Sequence, residues 1–138
     1  MKISQLLVES SNPSVTLMDI LEKFLPFIVD EYQLTSLPTI TLSQKIDDES
    51  QPTFGRYADG DHSIELAILN RHPLDILRTL AHELVHYKQD IEGRIKQNSG
   101  ETGSNIENEA NELAGIAMRH FNKQHPEFFS ILPVLQSK

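Results

Sequence analysis

The sequence predicts one α+β domain with an N-terminal helix, a small and mostly antiparallel sheet, and two further helices. Three segments repeat apolar residues at spacings of three and four, which is the period of an amphipathic helix. Between the first two of these segments, apolar and polar residues alternate, and an Asp-Gly turn then separates two strand-like runs. Because 138 residues suffice for one modest hydrophobic core, we expect the helices and the sheet to share it.

The first 14 residues are predicted to form an arm that precedes a single domain at residues 15–125. Ile3, Leu6 and Leu7 are spaced to dock as one turn of helix. The alternatives are that the arm is disordered or that it lies over a functional site and inhibits it. Residues 14–32 then form the first helix, in which Pro26 favours a kink.

Three strands are predicted between this helix and the next one. Residues 38–42 alternate apolar and polar side chains and are rich in β-branched ones, which is typical of a strand. Residues 47–51 are polar and are predicted to be a loop. The turn at residues 59–61 is predicted to join two strands, at 53–58 and 62–69, into a hairpin.

Two helices follow the hairpin. Pro73 fits the first position of a helix, and Gly93 fits the end of it. A polar loop then leads to a last amphipathic helix at residues 105–123. Residues 126–138, which contain two prolines, are predicted to be a C-terminal tail without regular structure.

Composition narrows the class of function. The formal net charge of −8, from 20 acidic and 12 basic residues, disfavours binding to nucleic acid. The chain has no tract of about 18 apolar residues and no clear secretory signal, so we expect a cytoplasmic protein without a membrane helix. Cysteine is absent, so any metal site must use histidine and carboxylate ligands.

The segment His82-Glu83-Leu84-Val85-His86 carries the predicted chemistry. Residues four apart lie on one face of a helix, so His82 and His86 can present two imidazoles to one tetrahedral ion. They lie roughly 160° round the helix from Leu84, opposite the stripe that packs into the core. Glu83 can take a proton from an activated water and pass it to a leaving amine. The alternative is a pair of exposed histidines that bind no metal.

The pattern continues after the loop with Glu107-x-x-Ala110-Asn111 on the last helix. A His-Glu-x-x-His helix followed by Glu-x-x-Ala-Asn on a second helix resembles the gluzincins, which include thermolysin and the smaller minigluzincins. The chain is also similar to small metallopeptidases encoded by tailed bacteriophages, which would place it in the host cytoplasm. The resemblance implies a minimal zincin-like domain and a zinc-dependent endopeptidase with Glu83 as general base.

The resemblance also implies a role for individual residues. His82, His86 and Glu107 would bind one Zn²⁺, and Asn111 would be the hydrogen-bond partner of a zinc-binding histidine, where thermolysin has aspartate. Residues 63–67 would form the edge strand along which a peptide or protein substrate pairs.

Glu107 has a second interpretation, as the last residue of a capping box in which it folds back onto the backbone amide of Ser104. Glu101, Glu109 and Glu112 are the other candidates for the third ligand.

Two further questions stay open at this point. Tyr57, Arg119 and His120 are candidates to stabilise an oxyanion, although His120 lies on the apolar side of its helix, which favours a core histidine. The alternative function is a non-catalytic binding or assembly protein that keeps the zincin fold, with or without metal. A helical domain without metal is a third hypothesis.

Overall fold

The computed structural model describes residues 6–8, 15–48, 51–95 and 105–134. These residues form an α+β fold, which confirms the predicted class. The elements in chain order are β1 (Leu6–Val8), α1 (Val15–Tyr32), β2 (Thr39–Ser43), β3 (Ile46–Asp48), β4 (Gln51–Thr53), β5 (Gly55–Ala58), β6 (Ser63–Ala67), α2 (Pro73–Ile91), α3 (Asn105–Gln124) and a 3-10 helix (Pro126–Ser130). Within these ranges, no helix is long and apolar enough to cross a membrane.

The larger sheet has the strand order β1-β2-β6-β5 and is mostly parallel. β1 pairs with β2 and β2 pairs with β6 in parallel, whereas β5 is antiparallel to β6. The prediction of a mostly antiparallel sheet is therefore wrong. The reason is that α1 crosses over between β1 and β2, which allows both strands to run in the same direction. The polar loop predicted at residues 47–51 is also partly wrong, because β3 and β4 pair there as a short hairpin.

β6 lies inside the sheet, with β2 on one side and β5 on the other. The hairpin predicted around residues 59–61 is confirmed, since β5 and β6 are antiparallel neighbours. The same hairpin contradicts the prediction that residues 63–67 are an edge strand, because β5 occupies that side. In the described part of the chain, β1 and β5 are the edges of this sheet.

One hydrophobic core joins the sheet to the three helices. Alternate residues of β2 and β6 stand in register and are buried: Ile40, Leu42, Ile64 and Leu66. Between α1 and α3, Phe24 packs edge-on against Phe121, with 5.1 Å between the ring centroids. α2 contacts α1, α3, β5 and β6. The helix that carries the motif is thus held on several sides.

Both ends of the described chain take part in the packed fold. Leu6–Val8 is a strand of the sheet rather than a turn of helix, and the other residues of the predicted arm lie outside the described ranges. Residues 126–138 were expected to lack regular structure, but they begin with a 3-10 helix that buries Phe128. Val134 is also buried, and its N–H donates to the carbonyl of Arg71 at 2.8 Å.

Candidate metal centre

α2 directs its two faces to different surroundings. The helix begins at Pro73, as predicted. Leu80 and Leu84 are fully buried in the core, whereas the side chains of His82 and His86 keep 20% and 14% of their surface exposed. The predicted phase of the helix is confirmed, because the two histidines face away from the apolar stripe.

The structure brings together His82 and His86 of α2 and Glu107 of the first turn of α3. His82 Nε2 lies 2.7 Å from one carboxylate oxygen of Glu107, and His86 Nε2 lies 3.2 Å from the other. The two Nε2 atoms are 3.2 Å apart. Three potential ligand atoms from two helices therefore converge on one point.

The spacing of these atoms fits a bound ion. In a tetrahedral zinc site with bonds of about 2.0–2.1 Å, neighbouring ligand atoms lie about 3.3 Å apart. The two Nε2 atoms, 3.2 Å apart, are close to this spacing, while Glu107 approaches His82 at 2.7 Å with one oxygen and His86 at 3.2 Å with the other. The donor set of two imidazoles and one carboxylate is also one that zinc uses in catalytic sites. The triad could thus hold a metal ion.

Glu107 is the glutamate that the structure places at the histidines. Glu109 instead forms an ion pair with Arg94, and Glu112 is exposed to solvent. Glu101 and the capping-box residue Ser104 lie outside the described residues. Because both carboxylate oxygens of Glu107 approach imidazole nitrogens, its position agrees with the ligand interpretation.

Glu83 lies beside the triad without belonging to it. Its side chain is buried, with only 9% of the residue exposed, and it lines the same cavity as His82. Burial, with a smaller contribution from the negative charge of Glu107, raises the pKa of Glu83 to about 7. A carboxyl group with a pKa near neutrality can both accept and donate a proton under ordinary conditions.

His82 has a neighbour on α3, because Asn111 lines the same cavity. The anticipated hydrogen bond between Asn111 and a histidine of the motif stays a prediction. Burial lowers the pKa of His82, His86 acts in the same direction, and Glu107 opposes both. The lowered pKa favours the neutral imidazole, which is the form that binds a metal.

Gln89 orients His86, a role that was not predicted from the sequence. Gln89 is buried, and its amide nitrogen donates to the carbonyl of Ile106 at 3.0 Å and to Glu109 at 2.9 Å. Because the amide N–H groups of Gln89 donate to Ile106 and Glu109, its carbonyl oxygen is left to face His86 Nδ1 at 2.9 Å. His86 Nδ1 then carries the proton and donates it, so Nε2 keeps its lone pair for a metal. The available signal was the position of Gln89, three residues after His86 on the same helix face.

A cavity of about 250 Å³ lies next to the triad. Its lining comes from the start of β5, from α2 and from α3: Phe54, Gly55, Arg78, Thr79, His82, Glu83, Asn111 and Ala114. The close approach of β5 to α2 depends on Gly55, because a Cβ there would lie 2.5 Å from Thr79 Cγ2. Glu83 therefore faces a space that an edge strand borders.

Two of the predicted oxyanion candidates lie elsewhere. Tyr57 donates a hydrogen bond to Asp90 at 2.6 Å and does not line the cavity. His120 is not a core histidine, since 52% of its side chain is exposed and it pairs with Glu31 at 2.6 Å. Arg119, on the same helix, is not among the lining residues, but its Nη1 and Arg78 Nη2 both lie within 4 Å of the position that a Cβ would take at Gly115.

Comparisons with protein-family models, with curated proteins and with solved structures found no match to this chain. The functional conclusion therefore depends on the geometry and chemistry of the site.

Proposed function

We propose that this chain is a zinc-dependent endopeptidase with a minimal zincin-like fold of the gluzincin type. The observation that carries the proposal is the convergence of His82, His86 and Glu107 beside a buried carboxyl group that is not itself a ligand. A metal site with a purely structural role needs no such group. Glu83, at the wall of the cavity, provides the proton acceptor that hydrolysis requires.

Zinc is the metal that this donor set favours. Two imidazoles and one carboxylate leave one of four tetrahedral positions open, which is typical of catalytic rather than structural zinc sites. A Zn²⁺ ion held there would supply Lewis acidity that polarises a peptide carbonyl and acidifies water. Gln89 supports this role, because its carbonyl oxygen faces His86. Asn111 lines the cavity together with His82.

Glu83 acts as the general base in this proposal. Its carboxylate takes a proton from the attacking water and then delivers it to the amine that leaves when the peptide bond breaks. The raised pKa suits both steps, because the group gains and loses a proton near neutral pH. The low exposure of Glu83 also limits competition from bulk water.

The peptide substrate is placed along β5 (Gly55–Ala58). β5 is an edge of the described sheet and borders the cavity through Gly55, so an extended peptide can pair with its backbone while it passes Glu83. This placement replaces residues 63–67, whose backbone pairs with a strand on each side. The short length of β5, four residues, limits this pairing to a few hydrogen bonds.

The test is hydrolysis of casein and of a mixed peptide library by the untagged chain loaded with zinc. We expect cleavage by the wild type, and Glu83→Gln should retain zinc but lose cleavage by about 10²-fold or more. Glu112→Gln, an exposed substitution on α3, is the matched control and should cleave normally. Cleavage by Glu83→Gln at the wild-type rate would contradict the mechanism. A chain that binds zinc and cleaves nothing would instead favour the non-catalytic binding protein.

A further inference from the structure

Arg78 and Arg119 approach one point from two different helices. A Cβ atom built on Gly115 would lie 3.6 Å from Arg78 Nη2 and 3.8 Å from Arg119 Nη1. Arg78 belongs to α2, and Arg119 and Gly115 belong to α3. Two positively charged groups are thus close together beside the cavity that Arg78 lines.

Among the described residues, these two side chains have no acidic partner, which is unusual in so acidic a chain. The net charge is −8, and the other three arginines each pair with a carboxylate: Arg56 with Glu65, Arg71 with Asp75, and Arg94 with Glu109. Neither Arg78 nor Arg119 has an ion pair or a hydrogen bond within the described ranges. Both side chains are exposed, so water screens their repulsion, and they remain available to an anion that contacts both.

Gly115 lies beside both guanidinium groups, where a Cβ would be in van der Waals contact with each. Glycine inside a helix is less favourable than alanine, so its presence in α3 needs a reason. Close packing of α2 against α3 is not the reason, because a Cβ at Gly115 would have only the two guanidinium nitrogens within 4 Å. A methyl group there would partly fill the point on which both arginines converge.

The arginine pair lies one helical turn from the candidate metal centre. Arg78 precedes His82 by four residues on α2, which corresponds to about 5.4 Å along the helix axis. Gly115 follows Asn111, which lines the cavity with His82, by the same interval on α3. An extended peptide advances about 3.3 Å per residue, so a group one or two residues from the reacting peptide bond reaches the arginines.

We infer that Arg78 and Arg119 form a carboxylate-binding subsite for the substrate, one helical turn from the metal centre. This inference rests on the proposed peptidase function and adds a substrate class to it. A carboxylate accepts charge-assisted hydrogen bonds at about 2.8 Å through both of its oxygens, so one carboxylate can bridge the two guanidinium groups. The carboxylate comes either from an aspartate or glutamate side chain or from the free C-terminus of the peptide.

The experiment measures peptide binding to the full-length, zinc-loaded chain with Glu83→Gln, so that the probes are not cleaved. The probes are fluorescein-labelled heptapeptides of alanine and leucine in three forms: a C-terminal amide without acidic residues, the same peptide with a free C-terminus, and amides with a single glutamate at each position in turn. Fluorescence anisotropy gives the Kd. We expect at least one carboxylate form to bind about tenfold more tightly than the neutral amide. The form that gains affinity identifies the source of the carboxylate.

Variants in the same background test the two arginines. Arg78→Gln and Arg119→Gln should each remove most of this gain, so that the carboxylate and neutral forms bind each variant with similar affinity. Gly115→Ala keeps both charges and should also reduce the gain, while circular dichroism shows a folded chain. Lys45→Gln removes one positive charge from an exposed position and should have no effect. Equal affinity for all three peptide forms, or a gain that survives both arginine substitutions, would overturn the inference.

The wild type, assayed on the same probes, separates this inference from the proposed function. Cleavage of neutral and acidic peptides with equal kcat/KM would leave the peptidase intact and reject the subsite. A carboxylate preference in binding that depends on both arginines, without cleavage of any probe, would support the subsite and reject peptidase turnover.

Discussion

Gln89 contacts His86 on the side of the ring opposite to the nitrogen that faces Glu107. Its amide joins α2 to the start of α3, because it donates to Ile106 and to Glu109. One buried side chain therefore fixes both the proton position on His86 and the distance between the two helices that supply the triad.

Replacing Gln89 with leucine is predicted to weaken zinc binding by about 10–100-fold. The substitution removes the acceptor for His86 Nδ1–H and leaves the acceptors on α3 without their donor. Competition titration against a chelating dye measures the affinity. Gln124→Leu, at the exposed end of α3, is the control and should bind zinc as the wild type does. Unchanged affinity in Gln89→Leu would show that Gln89 does not orient the ligand.

The raised pKa of Glu83 predicts a pH dependence of stability in the metal-free chain. Because the folded state holds this proton up to about pH 7 and the unfolded state releases it near pH 4.5, Glu83 favours folding at low pH. Its contribution to the free energy of unfolding should fall by about 3 kcal/mol as the pH rises from 4.5 to above 7.

Urea denaturation with EDTA at several pH values tests this prediction. The difference in unfolding free energy between the wild type and Glu83→Gln isolates the one group, because the other titrating residues are common to both. A difference that stays constant between pH 4.5 and 8 would contradict the assigned burial of Glu83.

The contact between β5 and α2 sets the position of the strand edge that is proposed to bind substrate. A Cβ at Gly55 would lie 2.5 Å from Thr79 Cγ2 and 3.3 Å from Leu66 Cδ2, so it cannot be accommodated without movement. Gly60, in the turn after β5, has no atom within 4 Å of the equivalent position. The two glycines therefore provide a matched pair for substitution.

Gly55→Ala is predicted to destabilise the fold by about 1–3 kcal/mol through overpacking. Thr79→Ser removes the methyl group that clashes but keeps the hydroxyl that Arg71 contacts, so the double variant should recover much of the loss. Denaturant unfolding of the single and double variants measures the coupling, with Gly60→Ala as the control near the wild-type value. Strictly additive effects of Gly55→Ala and Thr79→Ser would rule out the contact.

The elements that the sequence predicts correctly are those with strong local signals. In α2 and α3, apolar residues recur at helical spacing over many residues, and the β5–β6 hairpin has an Asp-Gly turn. β1 is only three residues long, which is too short for a periodic pattern to appear. Its pairing with β2 depends on residues far away in the sequence. The parallel order of the sheet was missed for the same reason.

The residues of the candidate site likewise differ in whether the sequence alone predicts them. His82, Glu83 and His86 follow from spacing within one helix, and Glu107 was named through resemblance to a family. The spacing of Gln89 from His86 was a signal within one helix, but its contacts with Ile106 and Glu109 could not be predicted, because those residues lie on another helix.

For the whole molecule, the C-terminal segment contributes to the core although its prolines favour a tail. Phe128 is only 8% exposed and stacks near Phe121, with 5.9 Å between the ring centroids, whereas its neighbour Phe129 is 61% exposed. Phe128→Ala should therefore destabilise the fold by about 3–5 kcal/mol. Phe129→Ala is the matched control, and thermal unfolding of both variants is the measurement. Equal midpoints for the two variants would place residues 126–134 outside the core.

A metal ion held by the triad would couple metal binding to the folding of the whole domain. Its ligands come from two helices joined by a loop, so the unfolded chain does not hold them together. An ion that binds the folded chain stabilises it in proportion to the logarithm of its concentration relative to Kd. Glu107 would be the ligand that joins α3 to α2, so the proposed metal site depends most on this residue.

The most direct test is zinc binding by the untagged full-length chain, measured by competition titration together with metal content per chain. We predict one zinc ion per chain, an affinity loss of more than about 100-fold in Glu107→Ala, and no loss in Glu112→Ala, which changes an exposed glutamate on the same helix. Wild-type zinc affinity in Glu107→Ala would contradict the account and would leave only His82 and His86 as ligands.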